Sequence, residues 1–506
     1  AIMTGANRKP SRCRGDYVEG RRTWTVDLNS DAWSSRFVLA ILAVVFGLLG
    51  GMLITAANPL YVAAGIVGLL VAVAILLNTQ IGLFSLVGVV CLLPFAVIPV
   101  PLGSVKLTFL DATLSALLVV WIGRALVRPE ERLQVGRVGG FLLVFIFLAI
   151  VSFVWGTGYG VTPETARLFL KFINSFLLFF TIVNCVRMRK HLDQLVAALL
   201  LAGAGSAIIG LVLYFIPSAT SARLLSSLRV LGYPASDVLR YIADTETLRA
   251  TSTSIDPNVL GAMLMVVSVL GINQLLSPAP VVKRQWLLPV IGVTLACLLL
   301  TFSRSSWIGL IVALVFVATI KYRRLWIVLG LLAIVVVLGA IPGETTFVGH
   351  LQSGLMAQDR AAAMRLGEYK DAFRLISEYP WFGVGFGEAP SVDLYVGVSS
   401  IYLLIAEQMG LVGLGALLAI IGYVLVAGLR QVLFQSTSSP SAGLAADAGL
   451  QAHQLGLLAA LVAALTTGLL DHHFLNLRFP HTVALFWMIV GLIAVTLRLM
   501  QESEGS

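Results

Sequence analysis

The sequence predicts an all-α protein, a polytopic transmembrane helix bundle of about fourteen spans with an exterior loop that carries an amphipathic helix. Three observations predict it. Hydrophobic residues make up 58% of the chain and charged residues only 12%, against roughly 45–50% apolar and about a quarter charged in a soluble domain. The apolar residues fall in long continuous runs, at 36–54, 60–78, 81–99, 108–127, 139–156, 164–186, 192–216, 258–276, 286–302, 305–320, 325–341, 400–428, 450–470 and 480–499. A hydrocarbon core of about 30 Å needs around 20 such residues per helix. Continuity excludes a membrane barrel, whose strands alternate over roughly ten residues. The cations supply the third observation. With the N-terminus inside and every run crossing once, most of the 34 Lys and Arg residues fall in inside segments, including Arg124, Arg128, Arg187, Lys190, Lys283, Lys321 and Arg430, as the positive-inside rule requires.

The expected organisation is a basic cytoplasmic tail at 1–35, a transmembrane domain at 36–499 and a short cytoplasmic tail at 500–506. The tail before the first run is too long for the n-region of a cleaved signal, so that run reads as a retained helix. The chain is expected in the inner (cytoplasmic) membrane as a multi-pass protein with both termini cytoplasmic. The four cysteines (Cys13, Cys91, Cys185, Cys297) have no paired spacing and indicate neither a disulfide framework nor a metal cluster. A net charge of +9 is explained by basic inside loops, and nucleic acid is not an expected partner.

Two outside loops are long, 217–257 and 342–399, and they hold cations that outside loops normally lack. Long loops with structure of their own are usually functional, so chemistry is expected on this face, toward an anionic partner. In Arg249-Ala-Thr-Ser-Thr-Ser-Ile-Asp-Pro-Asn258, Asp256 or Asn258 can cap the following helix, with Pro257 in its first turn. A capped helix accounts for these residues. Free N–H groups at that helix start, beside Arg249, would also make an anion site. Thr301-Phe-Ser-Arg304-Ser-Ser-Trp307 joins two apolar runs with almost no loop, which sets Arg304 either at headgroups or in a polar cavity. From Arg365 to Glu388, Leu366, Tyr369, Phe373 and Ile376 recur with helical spacing up to Pro380, and Gly383, Gly385 and Gly387 then allow close backbone approach to a ligand. Asp471-His472-His473 matches no zinc spacing and reads as a polar turn, so no metal is expected.

In this order the segments resemble the O-antigen ligase and polymerase family of bacterial envelope glycosyltransferases. The Asp-Pro-Asn helix start comes first, then Ser-Arg-Ser-Ser-Trp, then the Arg365 helix running to Pro380 and Gly383-Val-Gly385, and last Ser399-Ser400-Ile-Tyr402 through Glu407-Gln-Met-Gly410. The resemblance is clearest over ~160–430 and lies in the ordered set rather than in any one motif. It implies transfer of a glycan from an undecaprenyl-pyrophosphate-linked donor to an acceptor sugar, on the outer face of the cytoplasmic membrane and among membrane lipids, with no cofactor, nucleotide sugar or metal. It also implies that Arg249, Arg304 and Arg365, with Asn258, Ser399 and Tyr402, bind substrate. Many relatives carry His-Asn where this chain has Ser399-Ser400, and a serine of ordinary pKa cannot replace a histidine base. Glu388 and Asp393 are therefore the expected catalytic carboxylates, with His472 as a further substitute. The alternatives are a flippase for lipid-linked oligosaccharides or another secondary transporter, and a non-catalytic scaffold subunit. A transporter would usually show internal repeats and charged helices at the midplane, which this sequence lacks.

The orientation is directly testable. Cysteines placed at Ser226 and Ser391 should react with an impermeant maleimide on intact cells, and reaction only after permeabilisation would invert the topology.

Overall fold

The structure is a computed structural model that describes residues 73–75, 78–98, 107–127, 134–234, 236–242, 246–340, 360–387, 398–434 and 444–504, together with 41, 44 and 47. The apolar run at 36–54, nearly all of that at 60–78, and the candidates Glu388 and Asp393 lie outside the described residues.

Residues 51–506 form one compact unit. Its helices are α1 (Thr79–Leu92), α2 (Phe109–Val127), α3 (Gly136–Gly156), α4 (Pro163–Cys185), α5 (Arg189–Phe215), α6 (Ser218–Ser227), α7 (Pro257–Leu276), α8 (Arg284–Leu300), α9 (Arg304–Ile320), α10 (Leu325–Ala340), α11 (Arg360–Glu378), α12 (Ile401–Phe434), α13 (Leu444–Leu470) and α14 (Pro480–Glu504). Before α7, two short strands, β1 (Arg240–Tyr241) and β2 (Leu248–Arg249), pair antiparallel. Among the described residues, eight helices are long and apolar enough to cross a membrane, namely α2–α5, α7 and α12–α14, and α1, α8 and α9 are shorter apolar helices. The protein is thus an all-α integral membrane protein. The run predicted at 81–99 ends early, at Leu92, ahead of Pro94, because the residue before a proline is pushed out of helical conformation.

Burial sorts the helices. The apolar window of α7 is 83% buried, and those of α14 and α13 are 78% and 72% buried, whereas those of α2, α3 and α12 are 39% buried. So α7, α13 and α14 form the centre, and α2, α3 and α12 the rim. Phe147 and Val154 of α3, for example, face outward, as suits a lipid-facing helix. Lipid offers no hydrophobic drive between helices, so close packing must hold the centre. Phe145, Phe172, Phe176 and Trp487 meet edge to face between α3, α4 and α14, a geometry worth about 0.5–1.5 kcal/mol per pair beyond area.

The bundle has two chemically distinct ends. At one, Arg498 of α14 donates to the carbonyls of Val183 and Val186 at 2.8 and 2.6 Å, and Lys321 donates to Gln451 at 3.4 Å. Here too Arg189 and His453 share Asp193, at 3.6 and 2.6 Å. The long loops gather at the other end. One cation of that half is already neutralised: Lys171 lies 2.7 Å from Asp111, whose carboxylate also accepts from Thr108.

Helix α12 is broken at Gly410, whose φ of 68° and ψ of −175° lie outside helical space. The break frees carbonyls that membrane-depth backbone cannot leave unpaired. Residues 380–385 fill it. Val384 N donates to Glu407 O at 2.9 Å, Gly385 N to Gln408 O at 3.0 Å, and Leu411 N to Pro380 O at 2.7 Å. Ser152 of α3 donates to the carbonyls of Gln408 and Phe382. The glycine turn expected to approach a ligand instead lets backbone approach backbone.

Helix α11 leads into this interlock. It buries Ala372 and Leu375, while Leu366 and Phe373, expected to share the apolar stripe with Tyr369 and Ile376, are exposed. Gly410→Ala should destabilise the protein by at least the roughly 1–3 kcal/mol of a left-handed non-glycine residue, because its Cβ would meet the Trp381 backbone. Gly415→Ala, which meets nothing within 4 Å, is the control. Equal thermal unfolding midpoints for the two in detergent would contradict the interlock.

Candidate functional site

The loop end brings together residues that are far apart in sequence. Arg249 sits on β2. Its Nε donates to Thr301 O at 2.8 Å and its Nη2 to Asn258 Oδ1 at 2.5 Å. Ala250 N donates to Leu300 O at 2.8 Å, so the 249–258 segment is tied to the α8–α9 junction. That junction turns at Phe302, with a φ of 51°, and the facing segment turns at Ser252 and Ile255, with φ of 50° and 58°. For a β-branched isoleucine this is a strained backbone, and such strain concentrates at functional sites. Gly261 makes the close approach possible, since a Cβ there would meet Ser303 at 2.8 Å.

Asp256 caps α7, accepting from Asn258 N at 2.8 Å and Val259 N at 3.1 Å. The helix-start N–H groups expected to be free for an anion are therefore occupied by a carboxylate. Asn258 spends its amide oxygen on Arg249 and so orients that guanidinium.

Electrostatics show what surrounds Arg249. Burial lowers its pKa to about 10, Asp256 and Asp471 oppose the shift, and Arg304 and Arg365 add to it. It stays charged at neutral pH, with two other arginines in its field and Arg240 opposite it in the β ladder. Like charges paired this way are destabilising, and an anion among them would relieve the repulsion.

The remaining candidates hold α11 in place. Ser399 N donates to Glu368 Oε2 at 2.9 Å, and the Tyr369 hydroxyl lies 3.1 Å from both Ser399 O and Leu469 O. These bonds fix the turn of α11 that carries Arg365, and they place Ser399 near the end of α13. Tyr402 points its hydroxyl at Leu465 O, 3.0 Å away, and so bonds within the bundle.

Asp471, His472 and His473, read from sequence as a polar turn, close the site on the α13–α14 side. Asp471 and His473 are both buried and form an ion pair, Oδ1 to Nε2, at 2.8 Å. Burial alone would raise the Asp471 pKa, but His473, His472 and Arg365 hold it below the usual carboxylate range. Burial would likewise lower the His473 pKa, yet Asp471 and Asp256 raise it. The three residues offer ligand atoms within 4.8 Å of one another. A divalent cation there would meet the field of Arg249 and Arg365 and compete with His473 for the trio's one carboxylate.

The pair makes stability depend on pH with a defined sign. His473, raised above its ordinary 6.5, contributes fully below that value, and its share is lost as pH rises through the folded value. Asp471, held below its ordinary 3.8, contributes above that value and loses its share as pH falls through the depressed one. Asp471→Asn should therefore cost more thermal stability at pH 6 than at pH 8.5. An equal cost at both would show that the pair is not ionic.

The family model described as O-antigen ligase matches residues 289–439, which take in the Arg304 junction, α11, the 380–385 turn, Ser399 and the broken α12. It stops short of Asp471 and starts after Arg249 and Asn258. No curated protein matches the chain. The family is one of membrane glycosyltransferase-like ligases and polymerases of polysaccharide biosynthesis. Over residues 289–439 the match supports the family that the ordered motifs point to.

Proposed function

We propose that this protein transfers a glycan from undecaprenyl pyrophosphate to an acceptor sugar at the outer face of the cytoplasmic membrane. The observation that carries the reading is that Arg304 and Arg365 lie in the electrostatic field of the half-buried Arg249. Breaking a sugar–pyrophosphate bond leaves negative charge on the departing oxygen. Guanidinium groups already ordered around that position stabilise the charge without reorganising as it develops, and their planar forks suit phosphate oxygens. A polyprenyl tail would lie along the lipid-facing rim while its headgroup reaches the loop end.

In this reading Arg249 is held by Asn258 and Thr301, Arg304 by the α8–α9 junction, and Arg365 by the Glu368 and Tyr369 bonds to Ser399. Ser399 positions α11 rather than activating a hydroxyl. Glu388 and Asp393 remain the carboxylates that the sequence offers as base, and no metal or cofactor has a part.

The test is donor binding and turnover by the purified protein in lipid nanodiscs, with undecaprenyl pyrophosphate as the binding probe and lipid-linked glycans extracted from the producing cell as donors. Arg304→Ala and Arg365→Ala should each lower turnover by about 10²–10³-fold, the cost of removing one charge-stabilising donor, and weaken undecaprenyl pyrophosphate binding. Parental turnover in Arg365→Ala, or an inert parent with every donor, would overturn the reading.

A further inference from the structure

We infer that His472 takes the proton from the attacking acceptor hydroxyl, held in place by the Asp471–His473 ion pair, an assignment that rests on the glycan-transfer reading above. The argument begins with position. His472 follows α13 and lies in the fields of Glu368 on α11 and Asp256 at the cap of α7. Glu368 lies one turn from Arg365 on α11, and Asp256 acts on Arg249 as well as on His472. Tyr369 ties Leu469, three residues before His472, to Ser399. The end of α13 that leads into His472 is thereby held beside Ser399, where the chain lacks a histidine of its own.

Access and orientation separate the two histidines. His473 is buried and engaged with Asp471, so it has no path to a substrate. His472 is half-buried, its backbone N donates to Asp471 Oδ1 at 2.9 Å, and its ring lies nearly parallel to Phe479, with an interplanar angle of 27° and centroids 6.2 Å apart. Its Nδ1 is buried without a partner, while Nε2 is not among the sealed atoms. One nitrogen is thus enclosed and the other can meet a hydroxyl.

Charge state agrees with this division. Burial lowers the His472 pKa below its usual value, Asp471 works against that, His473 adds to it, and Glu368 and Asp256 oppose it. The two imidazoles are thus pushed in opposite directions, His472 toward its neutral form and His473, beside Asp471, toward its charged form. Adjacent titratable groups pushed apart in this way mark an acid–base assignment.

The step balances. The acceptor O–H bond breaks as His472 Nε2 takes the proton, and the freed oxygen pair forms the new bond to the anomeric carbon. The bond from that carbon to pyrophosphate breaks, and its electron pair leaves on the pyrophosphate oxygen facing the arginines. Asp471 and His473 position the base and touch no reacting atom.

The experiment uses the full-length protein in nanodiscs with extracted lipid-linked donors. His472→Gln should lose about 10²–10⁴-fold in turnover, the usual share of a general base, while binding undecaprenyl pyrophosphate as the parent does. His472→Gly should recover turnover on addition of imidazole, and the parent's kcat should fall on an acid limb that lies below the ordinary imidazole value of 6.5, a limb absent from the imidazole-free variant. Asp471→Asn should lower kcat and leave the donor KM unchanged. Full turnover in His472→Gln overturns the assignment and leaves the arginine reading standing, and a comparable loss in Glu388→Gln or Asp393→Asn would then move the base to the 388–393 stretch. Loss of donor binding in His472→Gln also overturns it. So does turnover that EDTA abolishes and a divalent metal restores, which would make the trio a metal site.

Discussion

The docking of residues 380–385 into the break at Gly410 is the constraint on which the loop end depends. A membrane helix that stops hydrogen-bonding to itself must find partners inside the protein. Here the carbonyls of Glu407 and Gln408 take the N–H groups of Val384 and Gly385, and Leu411 N returns to Pro380 O. The exchange fixes where α11 ends. Glu368 and Tyr369, bonded to Ser399, fix how it is rotated. Arg365 occupies its place because both ends of that lever are tied.

The second wall is built differently. Arg249 and the α8–α9 junction hold each other through Thr301, Leu300 and Asn258, with left-handed Ser252, Ile255 and Phe302 supplying the sharp turns. Strained backbone and clustered like charge both oppose folding. Retaining both at one end of an otherwise regular bundle is what an anion-binding site would require, and the protein without a ligand carries that cost in its loops.

Hydropathy made the spans legible, and cation spacing singled out the loops that matter. Arg249, Arg304 and Arg365 were legible as residues, and the pyrophosphate they would share, rather than any local period, was the reason to expect them at one site. The break at Gly410 is hidden inside a continuous apolar run, where hydropathy has no signal for a change of hydrogen-bond partner. On α11, the stripe of Leu366 and Phe373 looked like a packing face, yet the packed residues are Ala372 and Leu375. In a membrane protein an apolar side chain suits lipid as well as a core, so apolarity alone does not say which way a face turns. Asp471-His472-His473 was set aside for lacking a metal spacing. The carboxylate directly before two histidines was the available signal, since such a neighbour can pair with one imidazole and hold the other.

The central claim is that the three arginines hold a pyrophosphate at the loop end. A density map of the protein in lipid nanodiscs with undecaprenyl pyrophosphate tests it most directly. The account predicts phosphate oxygens within hydrogen-bond distance, about 2.7–3.2 Å, of the guanidinium groups of Arg304 and Arg365, with Arg249 behind them. Headgroup density at the opposite end of the bundle, beside Arg124 and Arg187, would contradict it.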